Sequence, residues 1–264
     1  MHNTIILTSG LTGSSVLTGL LARGGYWPGD HTVKKKDYDT FENVDLVQLN
    51  RDLLQRFAYE SIYQTRFSLE AIDRVEAFSR EMDVEPYREF LRRCESNRPW
   101  VWKDPRLWVT IRFWRHVVDL SDCNFLVLTR DHFQCWVSTN SRRVIQSYRH
   151  TRSYESAVAD ANVAFLEENR FPYQHITYDG LIAEPELTLA RLNRFLGARL
   201  TVADLTAVYR GPLHQQPGRS VPGALKACLI FAKNYHERVD RGQVPPRFPI
   251  RMPDPQPGPP SAVR

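Results

Sequence analysis

The sequence predicts a single α/β domain with a central parallel sheet flanked by helices, and three observations carry that expectation. Short runs of β-branched and apolar residues, such as "TIILT" and "FLVLT", have the length of buried strands. Between them, apolar residues fall at helical spacing. The first run passes through the glycine-containing turn "SGLTGSS" into a helix, and strands that alternate with helices pack as a parallel sheet with its ligand crevice beyond the carboxyl ends. A chain of 264 residues supports one large core. Its 42% hydrophobic and 25% charged residues are those of an ordinary globular protein.

Taken in order, Thr4 to Thr8 read as the first strand, and Val16 to Leu21 as a helix that stops at Gly24–Gly25. "GYWPGDHTVKKKDYDT", Gly25 to Thr40, has loop composition. In "ENVDLVQLNRDLLQRF", Val44, Val47, Leu54 and Phe57 form a helical face that Leu46, Leu49 and Leu53 widen. Ser68 to Cys94 read as two helices separated near Asp83 to Pro86, where proline suits a helix start. Trp100 to Trp102 form a very short strand and "CNFLVLTRD" the clearest one, followed by a helix in "FQCWVSTNSRRVIQSY". "YQHITYDGLIAEPELTLARLNRFLG" reads as strand, turn and amphipathic helix closed by Gly197. From Pro245 onward the last 20 residues hold 8 of the 17 prolines, a composition for an extended or disordered tail. The domain is thus expected over 1–244, with 26–98 mainly helical, and a tail over 245–264.

The net charge of +5 demands no nucleic-acid partner, though it suits an anionic ligand if gathered in a cleft. Four scattered cysteines, without a C-x-x-C pair or a histidine at ligand spacing, imply a reducing compartment and no structural zinc. With no run of about 18 apolar residues and no signal-like start, the expectation is a soluble cytoplasmic protein without membrane contact.

The polar residues that matter cluster at strand ends. Gly10 to Ser15 resemble a phosphate loop, where glycine lets the backbone approach and helix N-terminal N–H groups face negative charge. The lysine of G-x-x-x-x-G-K-[ST] is missing. Where a nucleoside-triphosphate enzyme places a magnesium-binding carboxylate after a strand, this chain has Arg130, with Asp131 one position later. That substitution points to protein cations on a phosphate group, with no obligatory metal. Lys103 and Arg106 flank the turn Asp104–Pro105 and suit either stabilisation of developing charge or a salt-bridged turn, Asp104 to Arg106.

The "TGSS" turn, the "KDPRL" segment, Arg130 with Ser138 eight residues on, and "TYDGLIAEPELTLARLNRFLG" together resemble the bacterial branch of the sulfotransferases that use 3′-phosphoadenosine 5′-phosphosulfate. The resemblance runs in order from Asn3 to Gly197, loosely between Tyr26 and Arg98. It implies a P-loop nucleotide-kinase-like fold. It also implies that Thr12, Gly13, Ser14 and Ser15 cradle the 5′-phosphosulfate and that Arg130 and Ser138 hold the 3′-phosphate; Arg106 is expected either in the donor site or in its salt-bridged turn. Lys103 is the expected charge at the leaving group, and adenosine 3′,5′-bisphosphate the product. The acceptor would be a small molecule or carbohydrate. The position of the family's usual basic loop residue falls on Leu11, and Pro105 occupies the place where the cytosolic branch carries its histidine. Glu42 and His31 are therefore the leading bases, with Asp37 and His214 behind them, and Lys34 to Lys36 read as a solvated run or an acceptor contact. Alternatives are a phosphoryl-transfer enzyme of the P-loop class, requiring magnesium and a nucleoside triphosphate, or a nucleotide-binding protein of this fold without turnover.

Overall fold

Six strands order the described residues, which in this computed structural model are 1–79, 82–215 and 221–248. They are β1 (Asn3–Leu7), β2 (Thr32–Lys34), β3 (Asp39–Asn43), β4 (Val101–Lys103), β5 (Cys123–Thr129) and β6 (Tyr173–Thr177). Four of them make one parallel sheet in the order β4-β1-β5-β6, so the chain turns opposite ways from β1 to reach its two neighbours. Such a switch of direction opens a crevice at the carboxyl ends of the strands.

The helices are α1 (Ser14–Arg23), α2 (Val44–Gln55), α3 (Leu69–Phe78), α4 (Glu85–Glu95), α5 (Leu107–Trp114), α6 (His132–Ser141) and α7 (Tyr148–Glu168), then α8 (Tyr178–Ala183), α9 (Pro185–Leu196), α10 (Val202–Val208) and α11 (Val221–Lys233). They cover both faces of the sheet, and strand parity assigns each side chain to a face. Ile5, Leu7, Phe125 and Val127 face one core, while Ile6, Leu126 and Leu128 face the other. On β4 the same alternation sends Trp102 into an aromatic cluster, with rings 4.4 Å from Trp100 and 4.7 Å from Trp114. Val101 joins the opposite core, so the next residue of that parity, Lys103, leaves the strand on the α1 side.

Three segments depart from the sequence expectation. Residues 32–43 form an antiparallel ribbon, β2 with β3, instead of a loop. Local side chains stabilise it: Asp39 accepts from the Thr32 hydroxyl (2.7 Å) and the Phe41 N–H (2.7 Å), while Thr40 donates to the Val33 carbonyl (2.6 Å). Its anchor is tertiary, because the Phe41 ring lies against Gly19 of α1 so closely that a Cβ there would sit 2.6 Å from it. The helix expected over Phe133–Tyr148 is shorter, and a second, long helix that the sequence reading did not include begins at Tyr148. α6 ends at Arg142, Arg143 takes a left-handed φ of 61°, and Ser147 restarts the chain as the N-cap of α7, held by Asp240 at 2.7 Å. The turn expected after Thr177 is instead the short helix α8, while two local signals act as read: Pro86 sits in the first turn of α4 and Gly197 closes α9 at φ 62°.

Among the described residues no helix is long and apolar enough to cross a membrane. Phe248, at the start of the expected tail, packs edge-on against Phe67; the tail from 249 lies outside the described residues.

Candidate functional site

A cleft of about 810 Å3 opens at the carboxyl ends of the strands, with the first loop and α1 on one side and the ribbon and α6 on others. Gly13, Ser14, Ser15, Glu42, Lys103, Arg106, Arg130 and Ser138 all line it. The first loop, the ends of β4 and β5 and α6 are far apart in sequence, and only the sheet brings them together.

The loop is shaped by backbone. Gly10 and Gly13 have φ of 95° and 82°, and at Gly13 a Cβ would lie 2.2 Å from the Tyr178 ring. No other residue type fits that position. α1 begins there without a side-chain cap and without an acidic residue in its first turn, so its first N–H groups keep their positive character. Leu11 sits at φ 57°, a region that costs a leucine about 1 to 2 kcal/mol, and its carbonyl accepts from Arg130 Nη1 at 3.3 Å. Thr12 is buried under the loop, its hydroxyl 2.5 Å from that of Thr8, and does not line the cleft.

Arg130 is fixed on three sides. Its guanidinium lies 4.8 Å from the Tyr178 ring centre, and Nη2 and Nε donate to Gln134 Oε1 at 2.7 and 3.2 Å. Asp131 caps α6 by accepting from the Gln134 N–H at 3.0 Å, which gives that carboxylate a structural task. Ser138 faces the cleft one helical turn before Arg142, whose Nη2 donates to the Tyr38 hydroxyl at the ribbon tip (3.3 Å).

Lys103 and Glu42 form one unit. Nζ donates to Glu42 Oε1 at 2.5 Å and to the Thr40 carbonyl at 3.3 Å, with 3% and 16% of the two charged side chains exposed. Glu42 lies in β3 ahead of the cap of α2, where Asn43 accepts from Asp45 N–H (2.9 Å) and Leu46 N–H (3.3 Å). Asp45 takes the place of the first-turn acid.

Arg106 is the most constrained cation. Its backbone N–H and Nη1 both donate to Asp104 Oδ1 at 3.0 Å, and the guanidinium stacks 4.4 Å from the Tyr63 ring centre. Asp104 is fully buried, its second oxygen accepting from Asn50 (2.9 Å), which in turn accepts from the Trp114 indole (2.8 Å). Burial pushes the Asp104 carboxyl up, against the pull of Arg106. The turn expected from "KDPR" is thus salt-bridged, and Arg106 still reaches the cleft wall.

Of the four candidate bases, Glu42 and Asp37 line the cleft. His31 does not: it is exposed at the start of the ribbon, where its carbonyl accepts from the Val44 N–H and its ring lies away from the cleft lining. His214 is also outside, 59% exposed and 3.5 Å from Glu186. The ribbon register sets His31 beside Val44, at the junction with α2, while Glu42 on β3 lines the cleft.

Lining residues that sequence reasoning missed include Arg142, Arg210, Tyr63 and Gln64. Lys35, Arg130, Arg142 and Arg210 form no ion pair among the described residues, whereas Lys103, Arg106 and Arg51 do. Behind the loop, Ser9 donates to Glu155 of α7. No local pattern marks these positions; Arg142, Tyr63, Gln64 and Glu155 approach residues of the site that are distant in sequence.

No family model and no curated protein matches the chain. Among solved structures, the sulfotransferase domain of the Synechococcus PCC 7002 olefin synthase aligns with a TM-score of 0.46 and 15% identity, over 87% of this chain and 94% of that one. The sulfotransferase domain from the curacin biosynthetic pathway gives 0.46 and 16%, over 96% and 93%. A sulfotransferase from Mycobacterium avium gives 0.45 and 14%, over 89% and 76%.

Proposed function

We propose that this chain is a sulfotransferase that moves a sulfuryl group from 3′-phosphoadenosine 5′-phosphosulfate to a hydroxyl or amine of a small molecule or carbohydrate. The observation that carries the reading is the cleft itself. An uncapped helix N-terminus, a backbone-lined loop and four cations without carboxylate partners among the described residues face one volume. Unpaired cations beside free N–H groups attract a multiply charged anion. Asp131, the residue nearest the position of a magnesium ligand in the phosphoryl-transfer alternative, caps α6 instead.

In this reading Gly13, Ser14 and Ser15 hold the 5′-phosphosulfate, with Thr12 bracing the loop from below, and Arg130 and Ser138 hold the 3′-phosphate. Arg106 is a wall of the donor site whose main task is to fix the Asp104 turn. The sulfur–oxygen bond to the 5′-phosphate breaks as the acceptor atom bonds to sulfur, and adenosine 3′,5′-bisphosphate leaves. Lys103 stabilises the charge that grows on the departing phosphate. Glu42 receives the acceptor's proton, and the 26–98 region supplies the acceptor wall through Tyr63, Gln64 and the ribbon.

The test is transfer of labelled sulfuryl to a panel of hydroxyl and amine acceptors, alongside calorimetric binding of adenosine 3′,5′-bisphosphate and of ATP with magnesium. Transfer, with preference for the bisphosphate, is the expected result. Preference for ATP with magnesium would overturn it in favour of phosphoryl transfer, and bisphosphate binding without any transfer would favour a nucleotide-binding protein in which no cation compensates for uncharged Leu11.

A further inference from the structure

Glu155 projects from α7 behind the first loop without lining the cleft, and its carboxylate accepts from the hydroxyl of Ser9, the residue before Gly10. Ser9 is buried and Glu155 half-buried. Arg130, at the end of β5, is a cation whose charge reaches Glu155, yet its guanidinium is engaged by the Leu11 carbonyl and Gln134. Among the described residues, the Glu155 charge also acts on the buried Cys135 thiol of α6 and on Tyr154 of α7, whose hydroxyl donates to the Tyr63 carbonyl. A carboxylate directly behind a loop that gathers an anion opposes that anion. Taking up a proton removes the opposition while leaving the hydrogen bond to Ser9 available.

We propose that Glu155 is a positioning residue that couples a proton to anion binding: through Ser9 it holds the Gly10–Leu11 backbone, and it becomes protonated when a phosphate-bearing ligand occupies the loop. Burial raises the Glu155 carboxyl to about 7, against the lowering effects of the Ser9 bond and Arg130, so ligand charge acts on a group already near its midpoint. The sign follows by linkage: ligand binding takes up a proton where Glu155 is ionised in the free protein, and affinity falls as pH rises above about 7, by at most about tenfold per pH unit for one linked proton. This rests on the reading that the first loop holds the donor's 5′-phosphosulfate.

The probe is adenosine 3′,5′-bisphosphate, titrated calorimetrically between about pH 6 and 8.5 in buffers of different ionisation enthalpy, so that proton uptake is read directly. Wild type is expected to take up a fraction of a proton near pH 8 that Glu155→Gln does not. Glu155→Gln keeps an acceptor for Ser9 and is expected to bind with a flatter pH profile, at or above wild-type affinity at pH 8. Glu155→Ala, which loses the contact to Ser9, is expected to bind more weakly at every pH. Protons carried by the ligand's own phosphates are common to the proteins compared and cancel in the difference. Binding by both wild type and Glu155→Gln with the same proton uptake and pH profile overturns the coupling alone. Failure of both to bind the bisphosphate at any pH overturns the assignment of the loop as well.

Discussion

Lys103 is nearly inaccessible, and its ammonium is tolerated because Glu42 stands 2.5 Å away. Removing one partner of a buried pair strands the other charge and costs about 3 to 5 kcal/mol, whereas removing both together costs much less. In urea unfolding, Glu42→Gln and Lys103→Met are each expected to destabilise the fold, and the double variant to recover part of the loss. Recovery matters for the chemistry too, since loss of rate in Glu42→Gln alone mixes loss of the proposed base with an unpaired Lys103. Single-turnover transfer by Lys103→Met is expected to fall more than donor affinity, because the interaction strengthens as the leaving phosphate gains charge; equal losses would remove Lys103 from the transfer step. Arg130 also has two tasks, since it fixes Leu11 and stacks on Tyr178. Comparing ligands separates them. Arg130→Ala is expected to weaken adenosine 3′,5′-bisphosphate about tenfold to a hundredfold more than adenosine 5′-monophosphate, the scale of one charge-assisted phosphate contact. Calorimetry showing equal losses would leave Arg130 a structural residue only.

The ribbon is the element that converts a sequence of loop composition into one side of a site. It is short, and an isolated two-stranded ribbon is marginal, so its stability derives from Phe41 against Gly19 and from the junction with α2. At that junction Asn43 caps α2 while its side chain lies so close to Gly29 that a Cβ there would be 2.4 Å away. Asn43→Ala is expected to cost about 1 kcal/mol of stability in urea unfolding. Gly19→Leu, by displacing Phe41, is expected to move the ribbon and reduce transfer well beyond any change in overall stability. Circular dichroism melting beside the transfer assay checks the second outcome, and a variant with normal transfer would show that the ribbon does not form the acceptor side.

Across the molecule, the +5 charge is modest, but its placement is uneven. Seven basic residues line the cleft against three acidic ones, and four of the seven have no ion pair among the described residues. A ligand drawn by that field is bound more weakly as salt screens it, with the Debye length falling from about 10 Å at 0.1 M to about 3 Å at 1 M. Bisphosphate affinity is therefore expected to decline steadily with ionic strength, and Arg210→Glu to make the decline shallower. Calorimetry over a salt series measures both; affinity independent of salt would remove the cleft's field from recognition.

The alternation of strands and helices, the turn at Gly10 to Ser15 and the cap at Gly197 were legible in the sequence because their causes are local: side-chain period, a required backbone angle, a missing side chain. Three features had no such cause. The ribbon depends on Phe41 meeting a helix more than 20 positions earlier, the Lys103–Glu42 pair joins residues 61 apart, and Ser9 meets Glu155 across 146. The break between α6 and α7 likewise depends on Asp240 reaching Ser147. Local patterns thus sufficed for the fold class and for the residue types at the strand ends. The tertiary structure decided which charges are paired, which remain open to an anion and which histidines stay outside the cleft, because pairing and burial depend on distances that sequence order does not encode.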